Sequence, residues 1–207
     1  MIPVDTALLF IAATVALALS PGPDNIFVLT QSAMSGAAAG IRVTLGLCTG
    51  LIFHTGAVAL GVAAIFARSD VAFTALKICG AAYLLYLAWG AFRAGATDLD
   101  AGASSTTGRR LYGRGVIMNI TNPKVAIFFL AFLPQFVDPA LGSLTLQIFM
   151  LGFLFMLTAL VVFSMIALTA GYVGGWLRRS ERAQIYLNRF AGIVFVGLAL
   201  RLVTTER

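Results

Sequence analysis

The chain has 207 residues, of which 60% are hydrophobic and 11% are charged, and its mean hydropathy is +0.96. Soluble domains carry about 25% charged residues, so this composition excludes a soluble globular domain and predicts an integral protein of the lipid bilayer. The net charge of +6 does not indicate a nucleic-acid partner, because the arginines stand between apolar segments, where they act as orientation signals.

Six apolar segments, each a candidate for crossing the membrane, follow one another along the chain. They are residues 4–19, which can resume at 26–29, and residues 43–66, 71–92, 116–133, 144–173 and 186–203. A transmembrane helix needs about 20 apolar residues. The sequence therefore predicts an all-α membrane protein with six transmembrane helices, of which the first and the fourth are broken. A chain of five spans with a re-entrant first segment is the alternative.

The first segment ends in a break with the sequence SPGPDN at residues 20–25. Each proline lacks a backbone N–H, and its ring clashes with the carbonyl one turn back, so a helix cannot continue through this stretch. No Lys or Arg precedes the segment and the break is a poor cleavage context, so we expect a retained helix rather than a signal peptide. Inside a bilayer, irregular backbone is tolerated only where protein or a wet cavity satisfies it. The break therefore predicts a polar site within the membrane.

The second and third segments carry few polar groups. His54, the only histidine, is predicted to be a core residue with satisfied hydrogen bonds, and a proton relay is the less favoured alternative. Lys77 is predicted to extend to the membrane surface or to pair with Asp70. Cys48 and Cys79 lack the spacing of metal ligands, so both are predicted to be small buried thiols. Neither a metal site nor a cofactor is predicted.

A mobile linker is predicted at residues 94–115, since its stretch 101–108 contains only small and polar residues. The arginines described below predict that this linker lies in the cytoplasm. It divides a single membrane domain into two halves of three segments each, residues 1–93 and 116–207. Because each half has an odd number of spans, the two halves are predicted to be inverted relative to each other.

A second break, with the sequence NITNPK at residues 119–124, interrupts the fourth segment. It resembles the first in placing Asn, Pro and a charged residue inside an apolar run. Two interrupted hydrophobic segments in matching positions of two halves are the best sequence indicator of a transporter binding site. We therefore expect the two breaks to form one site.

Positive charge predicts the orientation of the chain. Nine arginines fall on one side of a six-span arrangement, namely Arg42, Arg93, Arg109, Arg110, Arg114, Arg178, Arg179, Arg182 and Arg189. The other side receives Arg68, Arg201 and Arg207. Cytoplasmic loops are enriched in Lys and Arg, so the larger group predicts the cytoplasmic side and places both termini outside. Both breaks then lie toward the inner side or the middle of the membrane, which suits a site loaded from the cytoplasm.

Asp24 is the only carboxylate that the segments place within the membrane. A charge at the bilayer centre costs about 2.5–3.5 kcal/mol, so we expect Asp24 to bind a substrate amino group or to carry a coupling proton. The alternative is that Asp24 only caps the helix that resumes after Pro23. Lys124 is predicted to meet a substrate carboxylate, to pair with Asp24, or to extend to the cytoplasmic interface. Asn25, Asn119 and Asn122 suit an α-amino acid, and they equally suit backbone groups that the prolines leave unpaired.

Two stretches, LSPGPDN at residues 19–25 and NPKVAIFFLAFLPQFV at residues 122–137, resemble motifs of the LysE/RhtB family of bacterial amino-acid exporters. The resemblance covers essentially the whole chain. It implies proton-driven export, in the bacterial cytoplasmic membrane, of neutral amino acids such as homoserine, threonine or leucine, or of basic ones. The functional positions that it carries over are Pro21, Gly22, Pro23, Asp24, Asn25, Asn122, Pro123 and Lys124.

Other functions fit the sequence less well. An exporter of another small solute or of a metal ion is one alternative, but it needs soft or acidic ligands in the membrane, and His54, Asp24 and the two cysteines are few and scattered. A structural subunit does not need paired breaks. The motifs G-x-S-x-G, H-E-x-x-H and G-x-x-x-x-G-K-[ST] are absent, so neither an enzyme nor an ATP-driven pump is predicted.

Glycine pairs with small-xxx-small spacing let helices approach each other closely. The pairs are Gly36 and Gly40, Gly46 and Gly50, and Gly171 and Gly175. We expect tight packing within one subunit, and a homodimer is the less favoured alternative.

Overall fold

The structure, a computed structural model, describes residues 2–20, 22–66, 70–93, 108–179 and 181–204. Within these ranges the chain is almost entirely helical and contains no strand. The helices are α1 (Val4–Leu19), α2 (Pro23–Ser35), α3 (Ala37–Phe66), α4 (Asp70–Arg93), α5 (Gly108–Ile120), α6 (Pro123–Ile127), α7 (Leu144–Arg179) and α8 (Glu181–Thr204). Most of the predicted linker lies outside the described residues, and α5 begins before the predicted start of the fourth segment.

Both breaks lie where the sequence predicts them. Helix α1 ends at Leu19 and α2 begins at Pro23, and the axis turns by 62° between them. Helix α5 ends at Ile120 and α6 begins at Pro123, with a turn of 48°. In each case a proline occupies the first turn of the new helix, where its missing N–H has no intrahelical partner in any case.

The described part of the chain is long and apolar enough to cross a membrane in two unbroken helices, over Ala37–Gly61 and Leu144–Ala170. The two bent pairs, α1 with α2 and α5 with the segment Pro123–Phe136, raise this number to four if each pair is one broken span. The class predicted from composition, a helical membrane protein, therefore agrees with the structure.

A stretch of irregular helix separates α6 from α7. Residues Phe128–Phe132 form a π-helical turn, followed by 3-10 turns at Leu133–Phe136 and Pro139–Leu141. The rings of Phe128 and Phe132 lie 4.6 Å apart, and Phe129 contacts Phe155 of α7 at 4.9 Å. This aromatic cluster fixes the second break against α7. The sequence analysis did not predict the π-helical turn.

Helices α3 and α5 run parallel in close contact. Gly46 lies against the carbonyl of Tyr112, and further along Gly50 lies against the side chain of Asn119. A Cβ atom at either glycine would meet these atoms, so close approach is the reason for glycine here. The prediction that these small residues pack within one chain agrees with these contacts.

Helix α3 also packs against α7, which runs antiparallel to it. Gly40 faces Ala167, the thiol of Cys48 lies 3.8 Å from the carbonyl oxygen of Met156, and Gly152 faces Thr55. Helix α4 packs mainly against α8. As a result α3 lies at the centre of the molecule, between α5 and α7.

The two cysteines differ in their environment. Cys48 is buried, as predicted, whereas Cys79 on α4 is exposed, so the prediction of a buried thiol is wrong at that position. The physical reason is that a membrane helix is apolar on its lipid-facing side as well as on its buried side, so an apolar run does not indicate burial.

The order of the elements is the same in the first and second parts of the chain. A helix broken at proline comes first, then a long helix of 30 residues (α3) or 36 residues (α7), then a helix of 24 residues (α4 or α8). The long helices contact each other, and so do the 24-residue helices.

Candidate functional site

Asn25 closes the first break by pairing the backbone groups that the prolines leave free. Its Oδ1 accepts a hydrogen bond from the N–H of Gly22 at 2.8 Å. Its Nδ2 donates to the carbonyl of Ser20 at 2.9 Å and lies 3.3 Å from the carbonyl of Leu19. The carboxamide therefore joins the end of α1 to the start of α2, which is the structural role that the sequence left open for this residue.

We expect Asn25→Ala to destabilise the protein, because it leaves the N–H of Gly22 and the carbonyl of Ser20 without these partners. An unsatisfied buried backbone group costs about 1–3 kcal/mol. The apparent Tm of the purified protein in detergent should fall by roughly 5 °C. Asn25→Asp is the comparison variant, because it keeps the acceptor for Gly22, loses the donor and places an ionisable carboxyl group against the carbonyls of α1. An Asn25→Ala protein as stable as the wild type would contradict this role.

The second break is closed by Asn122 and His54. The Oδ1 of Asn122 accepts a hydrogen bond from the backbone N–H of Lys124 at 3.0 Å, which caps α6. The carbonyl of Asn119, freed at the end of α5, lies 3.0 Å from Nε2 of His54. Since a carbonyl only accepts, the imidazole donates from Nε2. His54 is thus a partly buried residue with a satisfied hydrogen bond, as predicted.

Asp24 connects the two breaks. Its carboxylate is only 4% exposed, and its Oδ2 accepts a hydrogen bond from Nδ2 of Asn119 at 3.4 Å. The cap of α2 is provided by Asn25, and the Asp24 side chain forms no capping bond. The alternative that Asp24 serves only as a helix cap is therefore wrong. The carboxylate turns away from its own helix toward the second half of the chain.

Unpartnered polar atoms gather around this carboxylate. Oδ1 of Asp24, Oδ1 of Asn119 and Nδ2 of Asn122 are all buried without a hydrogen-bond partner. Nδ2 of Asn122 interacts with the Asp24 carboxylate, and Asn122 does not line the cavity described below, so this donor is not open to a ligand. Nearly all buried polar groups in proteins are hydrogen-bonded, so the unpaired oxygens of Asp24 and Asn119 need an explanation. Together they offer two acceptors to a ligand.

Lys124 reaches across from α6 to the end of α1. Its Nζ donates hydrogen bonds to the carbonyls of Leu17 and Ser20, both at 3.0 Å. The charge of Lys124 acts on Asp24, but the two side chains form no direct ion pair. Lys124 therefore lies inside the site and does not extend to the membrane surface.

A small cavity of about 20 Å³ lies between these groups, with room for about one water molecule. Its polar wall consists of Asp24, Asn119 and Lys124. The rest of the wall is apolar and includes Leu47 and Leu51 of α3 and Phe155, Ala159 and Phe163 of α7. The cavity is polar at one side only.

The cavity lies near the middle of the membrane-crossing helices. Asn119 contacts Gly50 and His54, which lie about halfway along the apolar stretch Ala37–Gly61 of α3. The α7 residues of the wall lie about halfway along Leu144–Ala170. Midway along the spans is where transporters that use broken helices place their binding sites.

The structure brings most of the predicted site residues together. Those in contact with one another around the breaks are Gly22, Asp24, Asn25, Asn119, Asn122 and Lys124. Pro23 and Pro123 are exposed at the helix starts, and Pro21 lies outside the described residues.

The apolar wall of the cavity was not predicted from the sequence. Phe155, Ala159 and Phe163 are spaced four residues apart, which places them on one face of α7. That spacing indicates a common face, but many other apolar residues of α7 have the same spacing. Only packing against the two breaks distinguishes this face.

Comparisons with known proteins agree over nearly the full length. The family model described as LysE type translocator matches residues 15–206. A homoserine/homoserine lactone efflux protein of Salmonella typhimurium is 34% identical, with 90% of each chain covered. An uncharacterized membrane protein of Pseudomonas aeruginosa is 31% identical, covering 94% of this chain and 93% of the relative. No solved structure matches significantly.

Proposed function

The chain belongs to the LysE type translocator family, and from this premise we propose that it exports a small amino acid with an uncharged side chain, or a close derivative, from the cytoplasm. The observation that carries the proposal is the pair of unpartnered oxygens, Oδ1 of Asp24 and Oδ1 of Asn119, on two residues that line the cavity. An α-ammonium group donates to both of these oxygens.

The relative from Salmonella typhimurium supports this assignment of the charges. Homoserine and its lactone share an α-ammonium group and a carbonyl, but only homoserine carries a free carboxylate. A site for both compounds needs an anion for the ammonium group and does not need a cation for a carboxylate. Asp24 provides such an anion in this chain.

The cavity favours a neutral substrate over a basic one. A basic amino acid brings a second positive charge, and Asp24 is the only carboxylate among the described residues that line the cavity. Apart from Asp24, Asn119 and Lys124 this wall is apolar, which suits a short uncharged side chain. A metal ion is also disfavoured, because no group of three or more His, Cys, Asp or Glu residues occurs together within the described ranges.

The packing of the helices supports six spans in two inverted halves. The broken pair, the long helix and the 24-residue helix occur in the same order twice. The equivalent helices α3 and α7 run antiparallel, as inverted halves require. In this arrangement the breaks of both halves meet near the bilayer midplane, and rocking of one half against the other exposes the site to either side.

The same packing supports a cytoplasmic position for the larger arginine group. Because α3 and α5 are parallel, Arg42 near the start of α3 lies beside Gly108 at the start of α5, close in sequence to Arg109 and Arg110. Antiparallel α7 ends at Arg179 on the same side. This clustering favours an inner-membrane orientation with both termini outside.

The proposed transport cycle uses Asp24 for both binding and release. The substrate enters from the cytoplasm, and its ammonium group pairs with the ionised carboxylate. After the halves rock, a proton from outside neutralises Asp24 and removes the attraction. The ammonium group then leaves, and the proton is carried inward, so export is coupled to the proton gradient.

The experiment is efflux from cells preloaded with labelled amino acids, with and without the protein. We expect faster export of homoserine and its lactone. Efflux of lysine should be at least about tenfold slower, because its second positive charge finds no second carboxylate in the cavity. Efflux of N-acetylhomoserine, which lacks the ammonium group, should be slower by the same factor, since a charged hydrogen bond contributes about 1.5–3 kcal/mol. Rapid lysine efflux would contradict the neutral substrate. If no amino acid leaves faster although the protein reaches the membrane, amino-acid export is wrong.

A further inference from the structure

Lys124 is bound in the manner of a ligand rather than of a surface lysine. Its ammonium group donates to the carbonyls of Leu17 and Ser20, at the end of α1 where no following helical turn uses them. The C-terminal end of a helix carries a partial negative charge, which favours a cation. The end of α1 thus forms a cation site, and Lys124 fills it.

The surroundings hold the ammonium group close to Asp24. A Cβ atom at Gly22 would lie only 3.0 Å from Nζ, so the absence of a side chain there makes room for it. Both Lys124 and Asp24 line the same cavity, and the charge of each acts on the other. The carbonyls of α1 and the carboxylate of Asp24 are therefore acceptors around one small volume.

The α-ammonium group of an amino acid presents the same chemistry as Nζ of lysine. Both are tetrahedral cations with three N–H donors, so both bind the same acceptors. Two such cations repel each other when they lie beside one carboxylate in a small cavity. A bound substrate and Lys124 in its present position therefore disfavour each other.

The size of the cavity also indicates that Lys124 moves when a substrate binds. A space of about 20 Å³ is several times too small for an amino acid, so a wall must move when one binds. Asp24 and Asn119 are short side chains held to each other, whereas Lys124 is long and unbranched. Among the polar residues of the wall, only Lys124 can swing away without moving a helix.

We propose that Lys124 is a resident cation that is held beside Asp24, on the carbonyls at the end of α1, between transport events and is displaced when the ammonium group of the substrate binds to Asp24. This inference rests on the proposed function. Its consequence is that Lys124 weakens substrate binding, whereas a lysine that binds a substrate carboxylate strengthens it. After the substrate has left, Lys124 returns to the carbonyls of Leu17 and Ser20, so these carbonyls are not left unpaired in the empty protein.

The test is equilibrium binding of labelled L-homoserine and homoserine lactone to the full-length protein in lipid nanodiscs. Lys124→Met keeps the length of the side chain and removes the charge. We expect it to lower the Kd of both ligands about tenfold, within the range usual for coupling between two ligands of one protein. Lys124→Arg keeps the cation and should bind far more weakly than Lys124→Met.

Gly22→Ala provides a second variant that retains Lys124. Gly22 has an extended backbone with φ 179°, which alanine also adopts, and the new methyl group pushes on Nζ. Gly22→Ala should also lower the Kd of both ligands, by a smaller factor than Lys124→Met. This variant keeps the inference testable if Lys124→Met does not fold.

Three other results would overturn the inference, each for a different reason. A higher Kd of Lys124→Met for homoserine alone would make Lys124 a carboxylate ligand and overturn the inference. An unchanged Kd for both ligands, with a lower Tm, would make Lys124 a purely structural residue and also overturn it. Absence of binding to the wild-type protein would overturn the proposed function itself, and the inference with it.

Discussion

Replacing Asp24 by Asn is expected to reduce amino-acid efflux by about thirtyfold or more. The substitution keeps the size of the side chain and removes the charge that faces the substrate ammonium group. Truncating one partner of a buried, hydrogen-bonded charge pair costs about 2–5 kcal/mol, and 1.4 kcal/mol corresponds to a factor of ten. Lys124 would also lose the carboxylate that balances its charge, so the effect is not confined to the substrate.

The measurement is efflux of labelled homoserine from proteoliposomes with an imposed pH gradient. The wild type should respond to the gradient, and the residual activity of Asp24→Asn should not, because the variant has no carboxylate to protonate. Asp5→Asn is the control, since Asp5 lies exposed in the first turn of α1 and does not line the cavity. Wild-type efflux with full proton dependence in Asp24→Asn would exclude Asp24 from binding and coupling.

Gly115→Ala, in the contact between α5 and α3, is expected to cause a large loss of stability. A Cβ atom at Gly115 would meet the carbonyl of Val43, and would lie 3.1 Å from the backbone nitrogen of Leu47. These are backbone atoms that cannot rotate away, so the two helices must separate. Overpacking of this kind costs about 1–3 kcal/mol and occasionally more.

Gly113→Ala is the matched control on the same helix, because no atom lies within 4 Å of its added Cβ. Alanine favours a helix over glycine by about 1 kcal/mol, so this variant should be neutral or slightly stabilising. For Gly115→Ala the apparent Tm should fall by roughly 5 °C or more. Efflux should fall as well, because α3 supports Asn119 through His54. Equal Tm values for the two variants would contradict the close parallel contact.

The sequence by itself determined the class of the protein and the positions of the two breaks. Both follow from local properties. A chain with 11% charged residues cannot form the surface of a soluble domain, and proline stops a helix whatever surrounds it. The motifs at the breaks also carried the resemblance to the family that the comparisons show.

The sequence did not determine which polar residue does what. Asn25 and Asp24 are neighbours, yet Asn25 closes the break and Asp24 faces the cavity. Asp24 finds its partner Asn119 95 positions further along the chain, and Lys124 reaches Leu17 over 107 positions. Such partners are set by how the helices pack.

The tertiary structure also decided which apolar residues form the wall of the cavity and which face outward. In water, polarity separates the two sides of a helix. In a bilayer both sides are apolar, so Phe155 and the exposed Phe153 look alike in sequence. The arrangement of these helices depends on close packing at glycines and on hydrogen-bond partners for the backbone groups at the breaks. Both kinds of contact join residues that are far apart in the chain.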